Sequence, residues 1–184
     1  MGKSEIRNVI RELKKNIIPL VAEDSTLENN IISKVESLPQ FKNCNNLLLY
    51  NSLPDEFPTN NALCRWSKHL NIYLPKVNGK NLDIIRYAPD KITSGAFGIS
   101  EPTNIEDKIS PSMLDIIIVP AVAFDTNGNR LGRGKGYYDK LLGNSGALRI
   151  GIGYDFQILD ILPTDNHDIR MNYIFTPTYS IHIY

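Results

Sequence analysis

An α/β fold is predicted for residues 1–184, read as a single domain: a three-layer, mostly parallel open sheet with helices on both faces, Rossmann-like in plan. Three observations predict it. Short apolar runs alternate with amphipathic segments along the chain. One run, Asp115 to Phe124 (DIIIVPAVAF), is continuous enough for a strand buried on both faces. A long glycine-rich loop then follows that run directly.

Taken in order, Ile6, Val9, Ile10, Leu13 and Ile17 lie at helical spacing with Lys and Arg between them, so residues 3–18 are expected to form a helix that ends at Pro19. A second helix is expected to open at Ser25, with Glu28 completing a capping box and Leu27, Ile31, Val35 and Leu38 facing inward, and Pro39 stops it. The run Leu47 to Tyr50, a helix from about Thr59 carrying Leu63, Trp66 and Leu70, and the run Ile72 to Leu74 make a βαβ unit. Asn78-Gly79 signals a tight hairpin, because both residues tolerate positive φ.

Residues Pro89 to Pro111, which include GAFGISEP at 95–102, are polar and irregular and are expected to form a long surface loop. In the buried run, Pro120 cannot donate to a ladder and must lie at a strand end. A loop from Asp125 to Gly136 leads into a helix through Tyr137, Leu141 and Leu142. Arg149 to Gly153 and Tyr173 to Thr176 supply the last two strands, joined by a loop with Pro163 and His167-Asp168.

Lys plus Arg and Asp plus Glu each number 20, so the net charge is zero and no global field favours a polyanion. A nucleic-acid partner is therefore not expected, and small molecules are. The longest apolar run falls far short of the roughly 20 residues that cross a bilayer, so no membrane span is expected. The start MGKSEIRNVIRELKK is charged where an export signal would be apolar, and Ile6 stands where a myristoylation signal wants Ser or Thr. Cys44 and Cys64 have no metal-ligand spacing and read as free thiols. A cytoplasmic monomer is the expectation.

The chemistry concentrates in residues 128–136, where four glycines alternate with three cations: Gly128, Arg130, Gly132, Arg133, Gly134, Lys135 and Gly136. Glycine lets backbone N–H groups approach oxygens closely, and Arg and Lys neutralise the remaining charge, so phosphate is the natural guest. The loop is not a Walker A motif, since Gly136 stands where Ser or Thr would hold magnesium, and it is not G-x-G-x-x-G. Tyr137, Tyr138 and Phe124 suit either a core or a stacking face for a flat heterocycle.

The segment VPAVAFDTNGNRLGRGKGYYDKLL, residues 119–142, resembles the signature of the 5-formyltetrahydrofolate cyclo-ligase family. The resemblance covers nearly the whole chain in order: Lys3 and Arg7 as an N-terminal Lys-x-x-x-Arg, Glu56 after the first strand, FGISEP at 97–102, and Leu162-Pro163 with His167-Asp168 at the end. Ala121 stands where many relatives have Gly, and Lys14 and Lys15 where a further Arg is frequent.

That resemblance implies a ligase that closes 5-formyltetrahydrofolate to 5,10-methenyltetrahydrofolate, with ATP as co-substrate giving ADP and phosphate, and with Mg2+. It implies catalytic roles for Arg130, Arg133 and Lys135, and ATP contacts from Lys3, Arg7, Arg130, Leu131, Gly132, Arg133, Gly134, Lys135, Gly136, Tyr137 and Tyr138. The folate is expected at Glu56, Arg133, Gly134, Lys135, Gly136 and Tyr137, with Phe97 and Glu101 as further lining, and magnesium at Asp139 and Asp168. By residue type alone, either Asp reads as a helix-start charge or a turn former, and Lys3 with Arg7 as a solvated helical face. His69, His167 and His182 are given no catalytic role, and Trp66 reads as core. The competing readings are a phosphosugar or CoA site on a similar fold, a nucleic-acid module, and a folate-binding relative without turnover. Three cations followed by two tyrosines favour a polyphosphate beside a flat ring over the first.

Overall fold

The computed structural model describes residues 1–21, 24–89, 92–94, 100–102 and 107–184. Its centre is an eight-stranded sheet in the order β13-β12-β10-β7-β1-β2-β3-β6. The strands are β1 (Asn46–Leu48), β2 (Asn71–Asn78), β3 (Asn81–Arg86), β6 (Lys108–Ile109), β7 (Ile116–Val119), β10 (Leu148–Ile152), β12 (Tyr173–Phe175) and β13 (Ser180–His182). β12, β10, β7, β1 and β2 run parallel, while β13, β3 and β6 pair antiparallel towards the two edges.

Alternation along the strands builds two apolar layers. Leu47, Leu49, Ile72, Leu74, Ile116 and Ile118 face a core shared with Ile31, Ile32 and Val35 of α2 (Ser25–Glu36), Phe41 of α3 (Pro39–Lys42), and Ala62 and Trp66 of α4 (Asn60–Trp66). Leu48, Tyr73, Ile117 and Val119 face the opposite side, where Leu141 and Leu142 of α5 (Tyr137–Gly143) cover them. The expected three-layer arrangement is thus the observed one. Leucine and isoleucine at alternate positions of a strand buried on both faces give the continuous apolar runs seen in the sequence.

A second, three-stranded sheet, β11-β8-β9, lies beside the first: β8 (Ala123–Asp125), β9 (Arg130–Leu131) and β11 (Ile158–Leu159). The run Asp115 to Phe124 is therefore two strands rather than one. Pro120 lies in the break, where its missing donor cannot cost a ladder bond. Val122, Ala123 and Leu131 of this sheet receive Ile6 and Ile10 of α1 (Lys3–Val21).

Local chemistry departs from the sequence reading at four places. α1 passes through Pro19 to Val21, since so near a helix end the proline forfeits one backbone bond at little further cost. The cap of α2 is Asp24, whose carboxylate accepts from the Thr26 amide, and not Ser25. Glu28 instead points inward and accepts from the Ala62 amide at 3.0 Å, so it caps α4 from across the core. The stretch expected to be an irregular loop carries the antiparallel pair β4 (Ile92–Ser94) and β5 (Ser100–Pro102), then β6. Phe97 lies outside the described residues, and so does the Glu101 side chain.

The βαβ unit β1-α4-β2 and the tight turn at Gly79 are as expected. Cys44 and Cys64 are free, and burial pushes the Cys44 thiol up to about 12. No described helix is long and apolar enough to cross a membrane.

Candidate active site

β1 and β7 are neighbours in the sheet, yet the chain leaves β1 through α4 towards β2 and leaves β7 through α5 towards β10 on the other face. Such a divergence opens a crevice beyond the strand C-termini. A cavity of about 450 Å³ occupies it. Leu74, Pro75 and Val77 of β2 with Leu82 of β3 line one wall, and Asn51, Leu53 and Glu56 from the segment after β1 line another. The remainder is Tyr50, Pro120 and Ala121 at the strand ends, the glycine loop with the first turn of α5, the start of α1, and the segment with Asp165, His167 and Asp168.

The sequence dictates how these pieces meet. Asp125 is fully buried, and its carboxylate accepts from the Asn127 and Asn129 amides, the Asn129 side chain and the Leu162 amide at 2.8–2.9 Å. One side chain thereby shapes the β8-β9 turn and ties down the segment that carries Asp165 and Asp168. After β9 the chain turns through Gly134 (φ 95°) and Gly136 (φ 69°), a left-handed backbone that side-chain-bearing residues disfavour, and enters α5. Arg7 Nε donates to the Gly132 carbonyl at 2.9 Å, which fastens α1 to the loop.

Apart from Phe97 and Glu101, the residues expected to form the site line this one cavity. Lys3, Arg7, Glu56, Leu131, Gly132, Arg133, Gly134, Lys135, Gly136, Tyr137, Tyr138 and Asp168 are there, and so are Arg130 and Asp139. Their present partners differ. The Arg130 side chain is 5% exposed and its Nη2 donates to Asp139 at 2.6 Å, while its Nε has no partner among the described residues. Its guanidinium lies 5.7 Å from the Tyr138 ring centre, and the buried Tyr138 hydroxyl is likewise without a hydrogen-bond partner among the described residues. Burial pushes that hydroxyl well up, as the nearby Glu56 carboxylate does, so it stays a donor.

Arg133 is held differently. Nη2 donates to Asp55 at 2.6 Å and to Glu56 at 3.1 Å, and Nε donates to Glu56 at 3.2 Å. Glu56 also accepts from the Leu53 amide. Lys135 is exposed at the loop tip.

Lys3 Nζ donates to Asp165 at 2.7 Å and Asp168 at 2.6 Å. Burial pushes the Asp168 carboxyl up, but the hydrogen bonds from Lys3 and the Asp165 amide outweigh it and hold the group below the usual range. Ligand atoms of Asp165, His167 and Asp168 lie within 4.8 Å of one another, whereas the Asp139 carboxylate is engaged by Arg130. The two carboxylates of that cluster suit a hard cation that takes its other ligands from phosphate and water, so a magnesium ion fits the donors present.

Sequence reasoning did not single out Asp165, Asp55 or the apolar wall from β2 and β3. Asp165 is legible in retrospect as a second carboxylate three residues before Asp168. The wall residues had no signal beyond ordinary strand hydrophobicity.

A sequence profile describing the 5-formyltetrahydrofolate cyclo-ligase family matches residues 1–177. The 5-formyltetrahydrofolate cyclo-ligase of Haemophilus influenzae is 32% identical over 179 residues, spanning 92% of this chain and 94% of that protein. The NMR structure of Aquifex aeolicus 5,10-methenyltetrahydrofolate synthetase is 35% identical and has a TM-score of 0.87, covering 100% of this chain and 93% of that one. A Mycoplasma pneumoniae 5,10-methenyltetrahydrofolate synthetase, at 24% identity and a TM-score of 0.75, shares the fold.

Proposed function

This chain belongs to the 5-formyltetrahydrofolate cyclo-ligase family, and from that premise we propose that residues 1–184 act as one unit that couples ATP to the closure of 5-formyltetrahydrofolate into 5,10-methenyltetrahydrofolate, releasing ADP and phosphate. The observation that carries the proposal is the convergence of Lys3, Arg7, Arg130, Arg133 and Lys135 on one cavity that also has an apolar wall. Cations suit a polyphosphate, and the wall suits a flat pterin.

The chemical difficulty defines what the residues must do. The formyl group on N5 is an amide, N10 is a weak nucleophile, and hydroxide is a poor leaving group. Attack of the formyl oxygen on the γ-phosphorus gives an iminium phosphate and ADP. N10 then bonds to the activated carbon and gives up its proton to water, and the C–O bond breaks with phosphate as the leaving group. No covalent enzyme intermediate is needed, so the protein contributes position and charge.

Lys135 and Arg133, at the open part of the loop, approach the transferring phosphoryl oxygens, while buried Arg130, fixed by Asp139, supplies a stationary positive charge beneath them. Lys3 and Arg7 share a helical face and hold the outer phosphates. Glu56, an acceptor-only carboxylate, receives N–H groups of the pterin edge. Asp168 and Asp165 would hold magnesium, with Asp139 in reserve behind Arg130, and a magnesium ion there would neutralise phosphate charge.

Oxygen-18 placed in the formyl group tests the route together with the function. Its recovery in inorganic phosphate is expected. Retention in water, with product still formed, would exclude phosphoryl activation of that oxygen.

A further inference from the structure

We infer that Lys14 and Asp55 are positioning residues for Arg133: Lys14 offsets the charge of Asp55, so that Arg133 is aimed by the two carboxylates beside it without being captured by them. The inference rests on the proposed role of Arg133 as a phosphate ligand and extends the site to two residues outside the cavity lining.

Lys14 is an unusual core residue. It lies in α1 about two helical turns beyond Arg7, on the same stripe as Lys3, and it is only 6% exposed. Fully buried lysines are rare unless paired. Its hydrogen-bond partner among the described residues is Asp55 Oδ2 at 3.5 Å, a long contact for a buried cation. Asp55 turns its other oxygen to Arg133 at 2.6 Å, and Arg133 reaches on to Glu56.

The four charges form a chain of alternating sign, Lys14, Asp55, Arg133, Glu56, which sums to zero and joins α1, the segment after β1 and the glycine loop. Remove Lys14 and two carboxylates face one guanidinium. Such a site would hold Arg133 tightly and would repel an arriving phosphate.

The geometry of Arg133 fits aim rather than capture. Two of its three nitrogens, Nε and Nη2, are taken by the carboxylates, while Nη1 donates to no group among the described residues. A planar guanidinium fixed along one edge presents its other edge in a set direction. The Asp55 arm of the anchor is half-exposed, since Arg133 and Asp55 are 47% and 48% exposed, so that grip is weak enough to adjust when a ligand arrives, while Glu56, at 11%, keeps the guanidinium in place.

A double-mutant cycle separates this role from plain packing. Lys14→Met keeps the length and apolar stem of the side chain, and Asp55→Asn keeps the shape of its partner. We would measure the KM for MgATP, the KM for the folate, kcat and the melting temperature for the wild type, both single variants and the double variant. Lys14→Met is expected to raise the KM for MgATP about tenfold, the scale of one partly desolvated charge, with the folate KM nearly unchanged. In the double variant the charge balance returns, and the KM for MgATP should come back to within about threefold of the wild type. A double variant as poor as or worse than Lys14→Met, or a Lys14→Met protein with unchanged MgATP dependence, would overturn the inference. Failure of the proposed function looks different: the wild-type protein itself would show no ATP-dependent turnover.

Discussion

Replacing Asp139 with Ala should destabilise the protein even in the complete absence of divalent ions. Asp139 is the charged partner of Arg130, whose side chain is 5% exposed against 24% for Asp139. Besides Asp139 and the Tyr138 ring, that guanidinium has, among the described residues, only a weak hydrogen bond to the Pro120 carbonyl at 3.4 Å, and its Nε has no hydrogen-bond partner. Removing one partner of a buried ion pair costs about 3–5 kcal/mol because the other charge is left uncompensated. Partial access of water to Asp139 reduces this to about 2–3 kcal/mol. For a chain of this size about 2–4 °C is lost per kcal/mol, so the melting temperature should fall by about 5–10 °C. Thermal unfolding followed by circular dichroism in the presence of a chelator is the assay. Asp139→Asn, which keeps an acceptor for Arg130, should lose about half as much. If Asp139→Ala melts within about 1 °C of the wild type under chelation, the carboxylate does not hold Arg130 and its part is confined to ligands.

Three further outcomes follow from the same contacts. Arg133→Ala should lose about 100-fold or more in turnover while its melting temperature falls little, because Arg133 and its Asp55 partner are half-exposed and only Glu56, at 11%, is shielded; near-normal turnover would remove Arg133 from the reaction. Burial raises the Glu28 carboxyl, with the Ala62 and Asn61 amides opposing the shift. The folded pKa thus lies above the unfolded one, the unfolded state loses its proton first, and stability falls as pH rises from 4.5 through the folded value. Glu28→Gln keeps the acceptor that caps α4 and removes that proton, so its stability relative to the wild type, read from urea midpoints, should rise between pH 4.5 and 7; a constant difference would refute the assignment. In Gly151→Ala the new Cβ would meet the Phe124 ring at 2.4 Å, and a destabilisation of about 1–3 kcal/mol is expected by the same denaturation.

The layers were legible because strands buried on both faces must be apolar at every position, and runs such as Ile116 to Val119 satisfy that on sight. The glycine loop was legible too, since alternating glycine and cation has few uses other than holding an anion. Long-range polar chemistry was hidden. Glu28 sits where a capping box predicts a local partner, yet its carboxylate caps α4, 34 residues away in sequence. Asp125 reads as a turn residue and in fact also holds Leu162 in place. β9, β11 and β13 escaped because strands of two or three residues carry no usable period, whereas the equally short β1 sits in the apolar run Leu47 to Tyr50. Lys14 had the helical spacing of Lys3 and Arg7, but only the fold reveals that it is buried against Asp55.

The measurement that bears most directly on the account is absorbance in the methenyltetrahydrofolate band when the purified protein is mixed with 5-formyltetrahydrofolate and magnesium, with and without ATP. Growth of that band only when ATP is present is the predicted result. Growth at the same rate without ATP, or no growth with it despite folate binding, would contradict the claim that this cavity couples ATP to closure of the ring.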